Sequence, residues 1–124
     1  MSTTGNSGVY LQYSAVRAKK ILVSIGKKAA KKSNEEWVLT EREKKIVRKL
    51  GQYKTVLDTA VRDLTPHTLA NYLFEAAQEF SRFYEEVKVA GSEFETERAK
   101  IVRAYLNVMT HGLGLLGIEI PEEM

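Results

Sequence analysis

Apolar residues recur at three- and four-residue intervals along most of the chain, the spacing that gathers them on one face of an α-helix. Leu11, Ala15, Ala18, Leu22 and Ile25 form the first stripe and predict a helix over about residues 9–28. Residues 29–38 read as a connector with a polar centre at Lys31-Lys32-Ser33-Asn34, which Trp37 and Leu39 are placed to pin to the core. Tyr53, Val56, Leu57, Ala60, Val61 and Leu64 set a helix over about residues 52–64. Leu69, Tyr72, Leu73, Ala76, Ala77, Phe80, Phe83 and Tyr84 set a longer one over about residues 66–86. Ile101, Val102, Tyr105, Leu106 and Met109 set the last, continuing to Leu113 and Leu116.

Start and stop signals agree with these stripes. Thr40-Glu41-Arg42-Glu43 is a capping box, in which the threonine hydroxyl and the glutamate carboxylate each satisfy the other residue's amide. It opens a short helix that runs to Leu50 and is expected to end at Gly51. Thr65-Pro66 restarts the chain, with threonine as N-cap and proline where its missing N–H costs nothing. Val89-Ala90-Gly91 is a break, and Ser92-Glu93-Phe94-Glu95 a second capping box. Gly117 suits the left-handed position past a helix end, and a short tail stiffened by Pro121 follows. No alternating strand pattern competes. The expected fold is all-α, an antiparallel bundle of about five helices in one domain spanning 1–124, with 1–8 flexible.

Composition removes whole classes of function. With no cysteine among 124 residues there is no disulfide framework, no zinc finger and no thiol nucleophile. No apolar run approaches the roughly 20 residues of a membrane-spanning helix, so no membrane partner is expected. The polar start lacks the apolar centre of a signal peptide. His67 and His111 lie far apart without metal-ligand spacing, and are expected to be exposed or capping. Gly112, Gly114 and Gly117 make no phosphate loop, since no strand precedes them and no Gly-Lys-Ser/Thr follows. No nucleophile has a base beside it. The chain reads as a binding module.

The net charge of +3 conceals a gradient: +7 over residues 1–34, zero over 35–84 and −4 over 85–124. A basic segment without acids is the footprint of a polyanion partner or a solvated lysine-rich face. One other partner class remains open. A protein–protein docking module would show an exposed apolar patch. A DNA-binding helical domain is not expected, because no short helix-turn-helix signature is present.

Three stretches, taken in order, resemble one family. They are Gly5-Asn6-Ser7-Gly8-Val9-Tyr10-Leu11-Gln12-Tyr13-Ser14-Ala15-Val16-Arg17; Leu69-Ala70-Asn71-Tyr72-Leu73-Phe74-Glu75 with Phe83-Tyr84; and His111-Gly112-Leu113-Gly114-Leu115-Leu116-Gly117-Ile118-Glu119-Ile120-Pro121-Glu122-Glu123-Met124. Over residues 5–124 they resemble the C-terminal, DALR-type anticodon-binding domain of arginyl-tRNA synthetase, a class I enzyme. The resemblance implies an all-α bundle that binds the anticodon stem-loop of arginine tRNA. It also implies a piece of a larger enzyme, cytoplasmic, which joins arginine to tRNA with ATP and Mg. The catalytic signatures of that enzyme have no counterpart here. The chain is therefore expected to make no arginyl-tRNA and to use no cofactor of its own, and the parent's catalytic domain becomes a partner.

Loop bases are read by splaying them out, stacking them on aromatics and bonding their edges. By the resemblance, Tyr10, Tyr13 and Tyr84 match aromatic positions that contact the anticodon loop, Gln12 lies in the same motif, and Met124 matches a C-terminal methionine near the pocket. Tyr10 and Tyr13 are three apart at the start of a helix and are expected to share a side. Tyr13 and Tyr84 are open to packing as well as stacking, while Tyr72 and Tyr105 fit the core. Arg17 and Lys20, with Lys19, Lys27 and Lys28, are placed for phosphates if they face them. Four positions depart from the family: Ala15 replaces a frequent histidine, Val9 a proline, Glu123 an arginine, and Lys88 stands where a further aromatic sometimes follows, exchanging stacking for a phosphate contact.

Overall fold

A computed structural model of the chain describes residues 3–26, 39–87, 89 and 95–121. It has five helices: α1 Thr3–Gly26, α2 Glu41–Gly51, α3 Tyr53–Asp63, α4 Pro66–Glu86 and α5 Glu95–Leu115. No strand occurs among the described residues. α1 begins at Thr3 rather than near residue 9, so the lead-in expected to be flexible is helical from that point. The connector with Trp37, and Ser92 to Phe94 of the second capping box, lie outside the described residues.

α4 is the axis of the packing and touches all four other helices, while α5 lies against α1, α2 and α4. The contacts give the directions. Leu73 and Phe80 of α4 meet Gly112 and Tyr105 of α5, so those two helices run oppositely. Tyr10 and Arg17 of α1 meet Ala77 and Tyr84 of α4, so those two run in the same sense. Tyr105, Phe80, Phe83, Ile46, Leu73, Met109 and Leu113 are the largest fully buried apolar and aromatic side chains among the described residues. Phe80 and Tyr105 stack at 4.1 Å, almost parallel, and the Tyr105 hydroxyl meets Ser14 Oγ at 2.6 Å. A stacked pair and one satisfied buried hydroxyl pair thus bind α1, α4 and α5 together.

The helix ends follow local chemistry. At α2 the capping box forms as read: the Glu43 amide donates to Thr40 Oγ1 at 3.2 Å, and the Thr40 amide donates to Glu43 Oε1 at 3.1 Å. Glu43 is fully buried, and its other oxygen lies 3.5 Å from Arg98 Nε of α5. Gly51 does not end its helix in a left-handed conformation. Gln52 takes the junction at φ −83°, ψ −9°, and α3 starts at the next residue. The Thr65 side chain caps no backbone amide of α4; its hydroxyl oxygen accepts from the Thr68 hydroxyl in the first turn, while Pro66 holds the first helical position as expected.

Two helix ends close in the same way. At α5, Gly117 has φ +79° and the Ile118 amide donates to the Leu113 carbonyl at 2.9 Å. At α3, Leu64 has φ +53° and the Thr65 amide donates to the Ala60 carbonyl at 2.9 Å. Both are Schellman closures. The second corrects an expectation, because the apolar spacing places Val61 and Leu64 inward. The left-handed turn swings Leu64 out of the stripe to 84% exposure, Val61 is exposed as well, and the α3 stripe stops at Ala60.

Candidate nucleic-acid interface

Tyr13, Arg17 and Lys20 occupy positions i, i+4 and i+7 of α1, which puts them on one strip of the helix surface. Tyr84 comes to the same place from the last turn of α4. Tyr13 and Tyr84 are 47% and 44% exposed, large for aromatic residues flanking a packed bundle. The Arg17 guanidinium carbon lies 4.8 Å from the Tyr13 ring centroid and 4.6 Å from that of Tyr84. Both distances are in the range of cation–π attraction. One arginine thus links two rings carried by different helices.

Arg17 also donates from Nη2 to the Tyr13 oxygen at 3.0 Å. That donated bond, with the charges of Arg17 and Lys20, holds the Tyr13 phenol below its ordinary pKa. Because the oxygen already accepts from Arg17, the hydroxyl's own proton is left to donate outward. The cluster therefore offers two π-faces, two cations and one acidified O–H donor. Tyr84 is held from behind by the edge of the core, with its ring 6.3 Å from Phe80.

The other expected site residues divide clearly. Tyr10 does not share the exposed face of Tyr13. Its ring packs 5.4 Å from Phe74 and its hydroxyl meets Ser81 Oγ at 3.0 Å, so it seats α1 on α4. Gln12 is engaged within the chain, donating from Nε2 to the Glu119 carbonyl at 2.9 Å. Lys20 is exposed beside the cluster. Lys88 and Met124, like Lys27 and Lys28, lie outside the described residues. The meeting of Arg17 with Tyr84 was not foreseen. The four-residue step from Tyr13 to Arg17 was visible, but the match between the α1 register and the end of α4 was not.

His67 is exposed, and the exposed His111 bonds through Nδ1 to the Tyr53 hydroxyl. Among the described residues no cluster of histidine and carboxylate side chains could hold a metal ion. No helix among them is long and apolar enough to cross a membrane.

Residues 11–124 match the family model of the DALR anticodon binding domain. The chain belongs to the DALR anticodon-binding domain family. It is similar to the arginine–tRNA ligase of Laribacter hongkongensis, with 37% identity over 123 residues, 97% of this chain and 21% of that protein. It is equally similar to that of Thermococcus kodakarensis, with 37% identity over 133 residues, 97% of this chain and 20% of that protein. Its fold matches Thermus thermophilus arginyl-tRNA synthetase with a TM-score of 0.82 and 27% identity, over 93% of this chain and 21% of that one. The DALR domain thus spans about a fifth of the length of these relatives, and it corresponds to their anticodon-binding part, not their catalytic part.

Proposed function

We propose that this DALR domain binds the anticodon stem-loop of arginine tRNA, and that Tyr13, Arg17 and Tyr84 form the surface on which an unstacked loop base lies. The observation that carries the reading is Arg17 over both exposed rings, within 5 Å of each centroid. A base stacking there meets an aromatic face, a guanidinium plane and a charge, the combination that recognises single-stranded RNA. Arginine codons share a middle G, so the base common to arginine anticodons is a middle cytosine. The Tyr13 O–H donor suits the acceptor edge of that base, and Lys20 suits a flanking phosphate. Joining arginine to the tRNA, with ATP and Mg, falls to the catalytic domain of a cytoplasmic parent ligase, to which this domain is attached.

The test is a titration of isotope-labelled domain with the stem-loop at low salt. Amide shifts should cluster around Tyr13, Arg17 and Tyr84, and affinity should fall as salt rises. Tyr84→Ala should weaken binding by about 1–3 kcal/mol, one stacked base. A stem-loop that moves no signal near those residues overturns the reading. Binding of a protein partner with no response to salt or to Tyr84→Ala would favour the docking-module alternative.

A further inference from the structure

A second charged feature lies on the far edge of α4. An open groove of about 440 Å³ runs along the junction of α2 and α4, and every residue lining it is polar or charged. Lys45, Arg48 and Lys49 stand on the α2 wall, and Arg82 on the α4 wall with Glu75 and Glu79. The two carboxylates are already engaged. Lys49 Nζ lies 2.6 Å from Glu75, while Arg82 and Arg42 lie 3.1 and 3.5 Å from Glu79. Lys45 and Arg48, both exposed, make no ion pair among the described residues. The groove thus presents two exposed cations outside its ion pairs, Arg48 and Lys45, of which Lys45 also lends its charge to the Glu86 carboxylate at the end of α4, with Gln52 and Gln78 adding amide donors. Side chains that end in charges and amides suit an anion with several oxygens.

Its position says which anion. Each residue turns a helix by about 100°, so Tyr84 and Arg82, two positions apart, face opposite edges of α4. The Tyr13–Arg17–Tyr84 cluster and the groove therefore flank one helix, about 10–12 Å across with its side chains. An RNA with a base on the rings has its neighbouring phosphates within reach of the other edge. We propose that the α2–α4 groove holds the phosphodiester backbone of the bound RNA beyond the stacked base, with Lys45 and Arg48 as its phosphate contacts. The proposal rests on the anticodon reading for the identity of the RNA, not for the chemistry of the groove.

The test compares binding of this chain to the arginine anticodon stem-loop and to an unrelated hairpin over a range of salt. Lys45→Gln with Arg48→Gln should weaken both RNAs about tenfold at low salt and flatten the log–log salt slope by about two. The thermal melt should hold, because both side chains are exposed. Tyr84→Ala should weaken the arginine stem-loop and leave its salt slope alone. A slope unmoved by the double variant, with stem-loop binding intact, overturns the groove and leaves the anticodon reading standing. Equal binding of both hairpins that depends on Lys45 and Arg48 but not on Tyr84 overturns the anticodon reading and keeps the groove. A polyglutamate peptide bound more tightly than either RNA, with the same two-residue dependence, would make acidic peptide the occupant and overturn the RNA proposal.

Discussion

Gln12 of α1 and Glu119 of the tail, 107 positions apart, are joined by a 2.9 Å hydrogen bond from the Gln12 amide to the Glu119 carbonyl. Ile118 and Ile120 on either side pack against the core, so the bond fixes a segment already partly anchored by apolar contact. A residue expected to touch RNA is therefore engaged in holding the segment around Glu119.

Replacing Gln12 should act locally. The bond is exposed, and an exposed bond of this kind contributes about 0.5–1.5 kcal/mol. Gln12→Ala should speed amide exchange at Ile118, Glu119 and Ile120 while the core amides of α4 and α5 keep their protection. Gln12→Glu, similar in size but without the donor, should do the same. Unchanged exchange in the tail under both substitutions would show that Ile118 and Ile120 hold it alone.

Two glycines of α5 should respond in opposite senses to alanine. A Cβ at Gly112 would lie 2.8 Å from Leu73 Cδ2 and 2.9 Å from Leu73 Cδ1, and Leu73 is wholly buried, so both methyls would have to shift inside the packed core. Overpacking of this kind costs about 1–3 kcal/mol. Alanine's better helix propensity returns only about 1 kcal/mol. Gly112→Ala should therefore destabilise, and trimming Leu73 in the same chain should cost less than the two single changes added together. At Gly114 nothing lies within 4 Å, so Gly114→Ala should stabilise by up to about 1 kcal/mol. Denaturant titrations of the variants check both signs.

The helix count, the stripes and the α2 capping box were legible because each is written in residues close together in the sequence. Periodicity failed at Val61 and Leu64, where a left-handed leucine closes a helix that glycine would usually close. It failed again at Tyr10 and Tyr13. A three-residue step brings two side chains to nearby parts of a helix surface, but it does not say which lies over a neighbouring helix. Tyr10 falls over Phe74 and Ser81; Tyr13 falls at the open edge. The ring–guanidinium–ring cluster and the α2–α4 groove depend on register between distant helices, which no local signal records.

Stability should fall above pH 10. Burial holds the phenols of Tyr53, Tyr72 and Tyr105 above their ordinary value near 10, and for Tyr105 this outweighs the opposing hydrogen bond with Ser14. In the unfolded chain these groups ionise near 10, so their stabilising effect is complete below that pH and is lost as pH rises beyond it. Tyr13 works in reverse. Its phenol is lowered by Arg17, so the folded chain releases that proton first and gains stability as pH rises just below 10. Three raised groups against one lowered group give a net loss on the alkaline side. Denaturation midpoints between about pH 8 and 12 should show it. Tyr105→Phe should flatten the alkaline fall while costing about 1–3 kcal/mol at neutral pH, because it leaves the buried Ser14 hydroxyl without Tyr105.

Arg17 is the group on which the candidate interface turns, and its roles separate by substitution. Arg17→Ala removes the donor to the Tyr13 oxygen and the nearest positive charge, so the Tyr13 phenol should titrate higher, towards its ordinary value. Fold stability should fall by no more than about 0.5–1 kcal/mol per ring contact, the range for exposed cation–π pairs. RNA affinity should fall further than stability does, since a stacking plane and a phosphate partner leave together. Arg17→Lys restores the charge but not the planar fork. It should recover the salt dependence of binding while recovering only part of the affinity. If Arg17→Lys binds RNA as tightly as the original chain, Arg17 acts as a point charge and the stacking rests on the two tyrosines alone. If Arg17→Ala leaves the Tyr13 titration unmoved, the contact between them does not persist in solution and the cluster loses the group that joins its two helices.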